Sequence, residues 1–524
     1  MLLFSDSCSA FSMGMQLFFL NLGGFLLMRL VMEFLVTPYT LRKKLAKQGI
    51  KGPSPSLVLG NIPEMKRLMA AASNEAALLA KTMPISYTDT SHLFPYFRRW
   101  TSKYGDTIVF SLGTKQFLYV TDTAIVKEIH QCKSLDLGKP SYLQKDRGPL
   151  LGKGLITTSG PLWLHQRRTI APHLYAEKIK DMLSVMNESG NQLVKSWETE
   201  IEKAGGGSID IKVDDDVRTF TSYIICKTMF GSNFAIGQEL FPKCRALMKV
   251  LQTPTVLNGL PFLRHFPTKK NQRVWELEKQ IQDMVVGAAK SEKKAKDGSI
   301  SMLQVLVDGA RGGHLRQSEK EFIVDNCKDL YLAAFEVTGV AALWGLMLLA
   351  SHPEWQARIR KEFEEVSGGS NVLDAEMLSK MKVMRMVILE VLRLYPGVAF
   401  VSRQAMEDVQ LPSIWVPKDV SIWIWIPAMH RDPQLWGKDA NEFRPERFQN
   451  GVCGACKSPQ SYIPFGVGIR TCPGQNLAFT EMKVLFAQIL SKFKLSISSK
   501  YKHSPTLGLL LEPEHGVDLL IQKI

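Results

Sequence analysis

The chain has few cysteines and no second cysteine pair. Its eight cysteines are scattered over 524 residues, and only Cys453 and Cys456 form a CxxC, with no histidine beside them. That excludes a disulfide framework and leaves a zinc site two ligands short. The pair reads as two thiols in a Gly-rich surface loop. Internal repeats, long biased segments and zinc-finger or helix-turn-helix signatures are also missing. Lysine and arginine outnumber acidic residues 65 to 50, a net charge of +15, which would suit nucleic acid, anionic lipid or an acidic protein. The basic residues form no stripe, however, and the run at 290–296 (KSEKKAK) reads as a solvated loop. No nucleic-acid partner is expected. With 45% hydrophobic and 22% charged residues, the composition is that of one large globular domain.

Charge is absent from residues 11–28 (FSMGMQLFFLNLGGFLLM), and apolar residues resume after Arg29. Such a run is just long enough to span a bilayer if Arg29 snorkels. A cleaved signal peptide fits less well, because no lysine or arginine precedes the run and no small-x-small site follows it. The cations come afterwards, at Arg42, Lys43, Lys44, Lys47 and Lys51. By the positive-inside rule the N-terminus is lumenal and the body cytosolic. We expect a signal anchor over residues 1–36 with its transmembrane part at 11–36, a basic and Pro-rich hinge over 37–63, and the main domain over 64–524. Pro53 and Pro55 would stiffen the hinge.

Past the hinge, strand-like runs at 107–112 and 116–121 are joined by a turn at Gly113. Helical patterns dominate up to residue 395, and short strands return near 420–426. The expected fold is mainly α with small β-sheets. An apolar stretch at 256–267 (VLNGLPFLRHFP) reads equally well as a buried loop or as a second patch dipping into the membrane.

The strongest chemical signal is Phe465-Gly466-Val467-Gly468-Ile469-Arg470-Thr471-Cys472-Pro473-Gly474, followed by an amphipathic helical run at 478–493. A thiolate needs stabilising. The helix N-terminus behind Cys472 supplies a positive dipole end, and loop amides can donate to sulfur. Glycines at 466, 468 and 474 let the backbone approach a flat macrocycle. This loop resembles the haem-binding loop of cytochromes P-450. The resemblance extends to Glu390-Val391-Leu392-Arg393 (ExxR), to Phe443-Arg444-Pro445-Glu446-Arg447-Phe448 (PERF), and to Trp163 and Arg167 (WxxxR). It implies the cytochrome P-450 fold behind an N-terminal transmembrane helix, and a haem b whose iron is held by the Cys472 thiolate. It further implies Trp163, Arg167, Arg403, Phe465 and Arg470 around that haem, and a structural charge network of Glu390, Arg393 and Arg447. The implied activity is an NADPH-cytochrome P-450 reductase-dependent monooxygenase of the endoplasmic reticulum membrane, using O2 and a lipophilic substrate.

One segment departs from the family pattern. Where members typically read Ala/Gly-Gly-x-Asp/Glu-Thr-Thr, this chain has Ala333-Ala334-Phe335-Glu336-Val337-Thr338. The acid is kept, but the kink-permitting glycine is Ala334 and the first threonine, which relays protons, is Val337. Thr338 lies about 100° further round an ideal helix. Protons could come through Glu336, a shifted Thr338, water or a substrate hydroxyl. Otherwise the chain is an altered catalyst, isomerase-like, or a binding protein that has lost turnover.

Stretches such as Asp136-Leu137-Gly138-Lys139-Pro140, Pro267-Thr268-Lys269-Lys270-Asn271 and His352-Pro353-Glu354-Trp355-Gln356 resemble plant members of the seventy-two clan. The nearest group there oxidises gibberellins and related diterpenoid acids, with brassinosteroids, cytokinins and fatty acids as other clan substrates. The expected reaction is hydroxylation or epoxidation of such a metabolite. By the same resemblance, pocket walls come from the segment after Asp136, the helix before Glu336, and residues 398–401 and 506–509. Lys145 or Arg147 could meet a carboxylate, although ordinary burial rates make both exposed loop charges.

Overall fold

A computed structural model describes residues 20–79, 93–231, 234–252, 266–291, 301–312, 317–370 and 372–524. The expected patch at 256–267 falls almost wholly outside these residues, as does most of the basic run at 290–296. At the centre runs the long helix Glu319–Ser351. It starts at a capping box, where the Ser318 side chain meets the Glu321 N–H and the Glu321 side chain returns to the Ser318 backbone. It ends where Pro353 forces the residue before it out of the helical region, His352 having φ −132° and ψ 77°. Its second half, Thr338–Ser351, is buried on all sides up to Ala350, as a helix apolar all round must be. Gly345 lets the helix Gln475–Leu490 cross it closely: a Cβ there would lie 2.4 Å from the Phe486 ring. Trp344 stacks on Tyr395 at 4.0 Å, joining the central helix to the end of Lys382–Leu394.

The main sheet has five strands in the order Thr107–Leu112, Lys115–Val120, Ser421–Trp425, Phe400–Ala405, Leu137–Gly138. The first and last pairs are antiparallel, as is Phe400–Ala405 against Ser421–Trp425, while Lys115–Val120 runs parallel to Ser421–Trp425. A second sheet places Asp518–Lys523 between Ser208–Lys212 and Phe493–Ile497. The fold is mainly α with small sheets, as expected, and strands stand at or within a residue or two of the three expected places.

Among the described residues at the N-terminal end, Leu20–Ala46 is one helix, long and apolar enough to cross a membrane, exposed along its apolar part and packed into the core at Leu45. The first ten residues of the expected hinge therefore belong to this helix, as Thr37–Ala46. Pro38 lacks an N–H and crowds the preceding turn, and just ahead of it the helix widens into a π turn at Met32–Val36. The chain leaves the helix after Ala46 and docks on the sheet edge, where Val109 N–H donates to the Lys51 carbonyl at 3.0 Å.

Candidate active site

The loop from Pro464 to Gly474 forms one wall of a cavity of about 1480 Å³. Its other walls are the central helix, Ser141–Leu151, Gly160–Ile170, Lys269–Ser291 and the 397–403 segment. Cys472 lines it. The Cys472 N–H donates to the Phe465 carbonyl at 2.8 Å, which curls the loop so that the thiol leads into the helix Gln475–Leu490. Burial pushes the thiol pKa up, while the Gly474 N–H and the Arg167 guanidinium pull it back.

Trp163, Arg167, Arg403, Phe465 and Arg470 line the same cavity, although they come from widely separated parts of the chain. Trp163 and Arg167 stand one turn apart on Gly160–Ile170. Arg167 donates to the Thr471 carbonyl at 2.8 Å. The Arg470 guanidinium lies 4.4 Å from the Trp163 ring centroid and donates to the Thr158 carbonyl. Arg403 donates to the Ser402 and Val467 carbonyls, each at 2.9 Å. These cations crowd one another. Burial, then Arg403 and Arg167, push the Arg470 pKa down to about 9, and burial takes Arg403 to about 10. Lys139, expected only as part of a pocket wall, lines the cavity too. Burial and the charges of Arg403 and Arg470 hold it well below the usual lysine range, and Asp329 only partly offsets them.

A ligand for this space must present anionic groups to the arginines along one edge and a thiolate acceptor on its face. A haem meets both demands with its propionates and its iron. The cavity also exceeds the roughly 300–1,000 Å³ of a single small-molecule pocket, so a macrocycle and a substrate fit together.

Beside the loop lies a second charge group, fully internal. Arg393 donates to both Glu390 oxygens at 2.7 and 2.8 Å, and to the His430, Ala440 and Glu442 carbonyls. Arg447 donates to Glu390 at 3.0 Å and to the Trp436 and Asp439 carbonyls. His430 completes the connection by accepting the Ile463 N–H at 2.9 Å, so the network ends at the thiol loop. Burial, aided by Arg393, pushes the His430 pKa down to about 3, which leaves the ring neutral.

On the distal wall, the central helix widens into a π turn at Leu332–Val337. The turn forms with alanine, not glycine, at 334. Ala334 and Thr338 make one row facing the cavity, and Ala333, Val337 and Ala341 make another. Thr338 thus reaches the cavity beside Val337. Glu336 does not. It is fully buried on the other face, 3.4 Å from Arg218 Nε and 3.8 Å from Arg245 Nε, where Asp214 and Glu512 also hold Arg218.

The walls expected from the clan resemblance all contribute: Lys139, Tyr142 and Leu143; Leu330 and Leu332; residues 398–401; and Leu507 and Leu509. Sequence reading missed the helix Lys269–Ser291, whose Lys270, Asn271, Val274 and Trp275 close one side. Arg147 is not a loop charge: it sits half-buried on Ser141–Leu151 and lines the cavity, whereas Lys145 is exposed. The CxxC also differs from expectation. Cys453 is exposed, but Cys456 is buried against Trp436 and Phe448, and its thiol donates to the Ser458 carbonyl.

Residues 83–520 match the model of the family described as Cytochrome P450. Among curated relatives, the chain is 44% identical to Cytochrome P450 714C2 of Oryza sativa subsp. japonica, over 93% of this chain and 94% of that protein. It is 42% identical to Cytochrome P450 714B3 of Zea mays, covering 93% and 92%. It is 41% identical to Cytochrome P450 714A2 of Arabidopsis thaliana, covering 92% and 93%. Family members carry a haem whose iron is bound by a cysteine thiolate, and draw on a redox partner, O2 and lipophilic substrates. With matches of this length and identity, the chain belongs to the cytochrome P450 family of monooxygenases.

Proposed function

We propose that the chain is a monooxygenase of gibberellins or related diterpenoid acids, with Cys472 as the iron ligand and NADPH-cytochrome P-450 reductase as electron donor. It would be held in the endoplasmic reticulum membrane by a single N-terminal span, with the catalytic body in the cytosol. The observation that carries the haem-thiolate core of this reading is the convergence of one cavity-lining thiol and four basic side chains on a single large cavity. Arg167, Arg403 and Arg470 would hold the propionates, Trp163 would brace Arg470, and Phe465 would pack under the loop. When bound, the haem would supply the chemistry of dioxygen activation, in which one oxygen atom enters the substrate and the other becomes water with two electrons from the reductase and two protons. Apolar walls at Phe94, Val398, Phe400, Leu507 and Leu509 suit a rigid terpenoid skeleton. Thr338 brings a hydroxyl to the cavity. Val337 beside it adds only methyl groups, so proton supply rests on Thr338, water or the substrate. Glu336, paired with Arg218 on the other face of the helix, stands outside the cavity and gives no direct path for that supply.

Microsomes containing the chain and its reductase, incubated with a gibberellin panel, should yield NADPH-dependent products one oxygen heavier by mass spectrometry. Oxidation of a brassinosteroid, cytokinin or fatty acid alone would remove the diterpenoid reading. A rearranged product formed without NADPH would establish the isomerase-like alternative that Val337 favours.

A further inference from the structure

The segment that joins the N-terminal helix to the body carries an exposed apolar tip. Leu57, Val58 and Leu59 are three large apolar side chains in a row, 75%, 49% and 53% exposed. We propose that this turn is a second membrane contact, seated in the interfacial layer of the bilayer and held there by the way the N-terminal helix docks on the body. The inference rests on the N-terminal span proposed above and goes beyond it, because a span alone leaves the body free to swing.

Three observations converge. The first is the tip itself. Ser56 and Gly60 bond each other in both directions, N–H to carbonyl, at 2.8 and 3.0 Å, and the Ser56 hydroxyl donates to the Gly60 carbonyl at 2.6 Å. This closes the turn around the three exposed side chains. Val58 stands at φ 66°, a region that suits glycine or asparagine and penalises a β-branched residue. A turn needed only to reverse the chain gains nothing from valine there, whereas an apolar contact surface does. The second is the place. Arg42 of the N-terminal helix donates to the Ser111 hydroxyl at 3.3 Å and to the Pro53 carbonyl. Asn61 holds the same two residues: its amide donates to the Pro53 carbonyl at 3.4 Å, and its oxygen accepts the Ser111 N–H at 2.8 Å. Pro53 and Asn61 flank the turn, so both its ends are tied to what Arg42 holds. Arg42 lies six residues past the expected end of the span at Val36, about 9 Å at 1.5 Å per residue, which is the headgroup layer. The third is stiffness. Leu41 and Leu45 pack into the cluster that holds Val109, Leu118 and Val120. Gln48 exchanges two hydrogen bonds with the Trp415 backbone, at 2.7 and 2.8 Å. With Arg42, these residues recur at near-helical spacing on one face, so the helix meets the body as a braced strut.

The occupant is lipid rather than an apolar protein face, because Lys43, Lys47 and Lys51 stay exposed beside the tip and their charge matches anionic headgroups. The span then sets the height of the body, and the tip sets its tilt. Burying the three side chains at the acyl boundary offsets the backbone cost at Val58.

The test is the depth of a nitroxide label in the full-length holoprotein, reconstituted in vesicles of phosphatidylcholine and phosphatidylserine. Single labelling sites come from Val58→Cys, from Leu26→Cys on the exposed N-terminal helix, and from Glu365→Cys on the exposed face of Pro353–Ser367. The background carries Cys8→Ser, Cys132→Ser and Cys453→Ser. A reduced carbon monoxide spectrum shows that each variant is folded, and Leu57→Cys replaces Val58→Cys if the latter lacks it. We expect relaxation by a water-soluble nickel chelate to be lost at Val58 and Leu26 and kept at Glu365. Arg42→Gln, or Gln48→Ala where that variant does not fold, should return the Val58 label to water while Leu26 stays in lipid. Nickel access at Val58 equal to that at Glu365, with Leu26 in lipid, overturns the contact and keeps the span. Nickel access at Leu26 removes the span, and the strut that rests on it. A Val58 depth unchanged in both Arg42→Gln and Gln48→Ala overturns the docking as its cause. A Val58 label that excludes nickel but shows dipolar broadening belongs to an interface between two copies, and overturns the lipid contact.

Discussion

Two sets of buried cations meet the same thiol loop, and they are balanced in opposite ways. Around Arg393 and Arg447, protein supplies every counter-charge: Glu390 accepts from both, and backbone carbonyls take the remaining donors. Around Arg167, Arg403, Arg470 and Lys139, carbonyls accept some donors, but the neighbouring charges are mostly of the same sign. A satisfied buried network specifies a fold, because breaking it leaves an uncompensated charge. A like-charged cluster against a cavity specifies a ligand. On the proposed reading the first set is scaffold, and the second would be half of a binding site whose other half is the haem.

The thiol between them gives the largest expected effect. Cys472→Ser should abolish turnover and remove the long-wavelength band of the reduced carbon monoxide complex, which reports thiolate ligation. A variant retaining that band would move the ligand elsewhere. Next comes the scaffold set. Arg393→Ala leaves Glu390 charged and buried, and should destabilise the protein by about 3–5 kcal/mol, read as lost holoprotein yield and a lowered denaturation midpoint. The cation cluster should respond in two directions at once. Arg403→Gln or Arg470→Gln removes repulsion from the haem-free chain, but also a charged hydrogen bond to a propionate, about 1.5–3 kcal/mol. Haem transfer to apomyoglobin should therefore quicken while the haem-free protein melts no lower. If haem retention and apoprotein stability fall together, the cluster is scaffold too and the contrast collapses. The smallest effect belongs to neither set. Val337→Thr should raise product formed per NADPH and lower peroxide release, at a stability cost of about 1 kcal/mol for placing a hydroxyl beside Gly397. If coupling does not change, proton supply already runs through Thr338 or the substrate.

What could be read from sequence was local. The thiol loop, ExxR and WxxxR are short segments whose residues act within a turn or two of one another, so spacing alone displays them. The cavity is not local. Lys270 lies over 100 residues from Arg147, and nothing in either segment announces that their helices share a wall. The orientation of Glu336 was hidden for another reason: it depends on helix phase, and a single π turn at Leu332–Val337 resets phase without needing a glycine. Cys456 was misjudged because its loop looks polar and Gly-rich, whereas burial there is decided by Trp436 and Phe448 from other segments. The Thr37–Ala46 helix was hidden by Pro38, whose ordinary reading is a break.

The central helix also carries a hazard for biosynthesis. Its most apolar 18-residue stretch has a mean hydropathy of 1.9, above the 1.5 of the N-terminal helix, and 83% of that stretch is buried. Its partner Gln475–Leu490 is completed about 140 residues later. At roughly 5–20 residues per second of synthesis, the helix waits about 7–28 s for that cover. An insertion machinery scanning for spans would meet Lys320, Asp325, Lys328 and Asp329 at its leading end, each of which opposes entry into lipid. The two aspartates later clamp the cavity wall, where Asp325 accepts the Lys153 N–H and Asp329 the Ile156 N–H. Two of these charges, Asp325 and Asp329, thus tax the newborn helix as a span and, once folded, shape the chamber it borders.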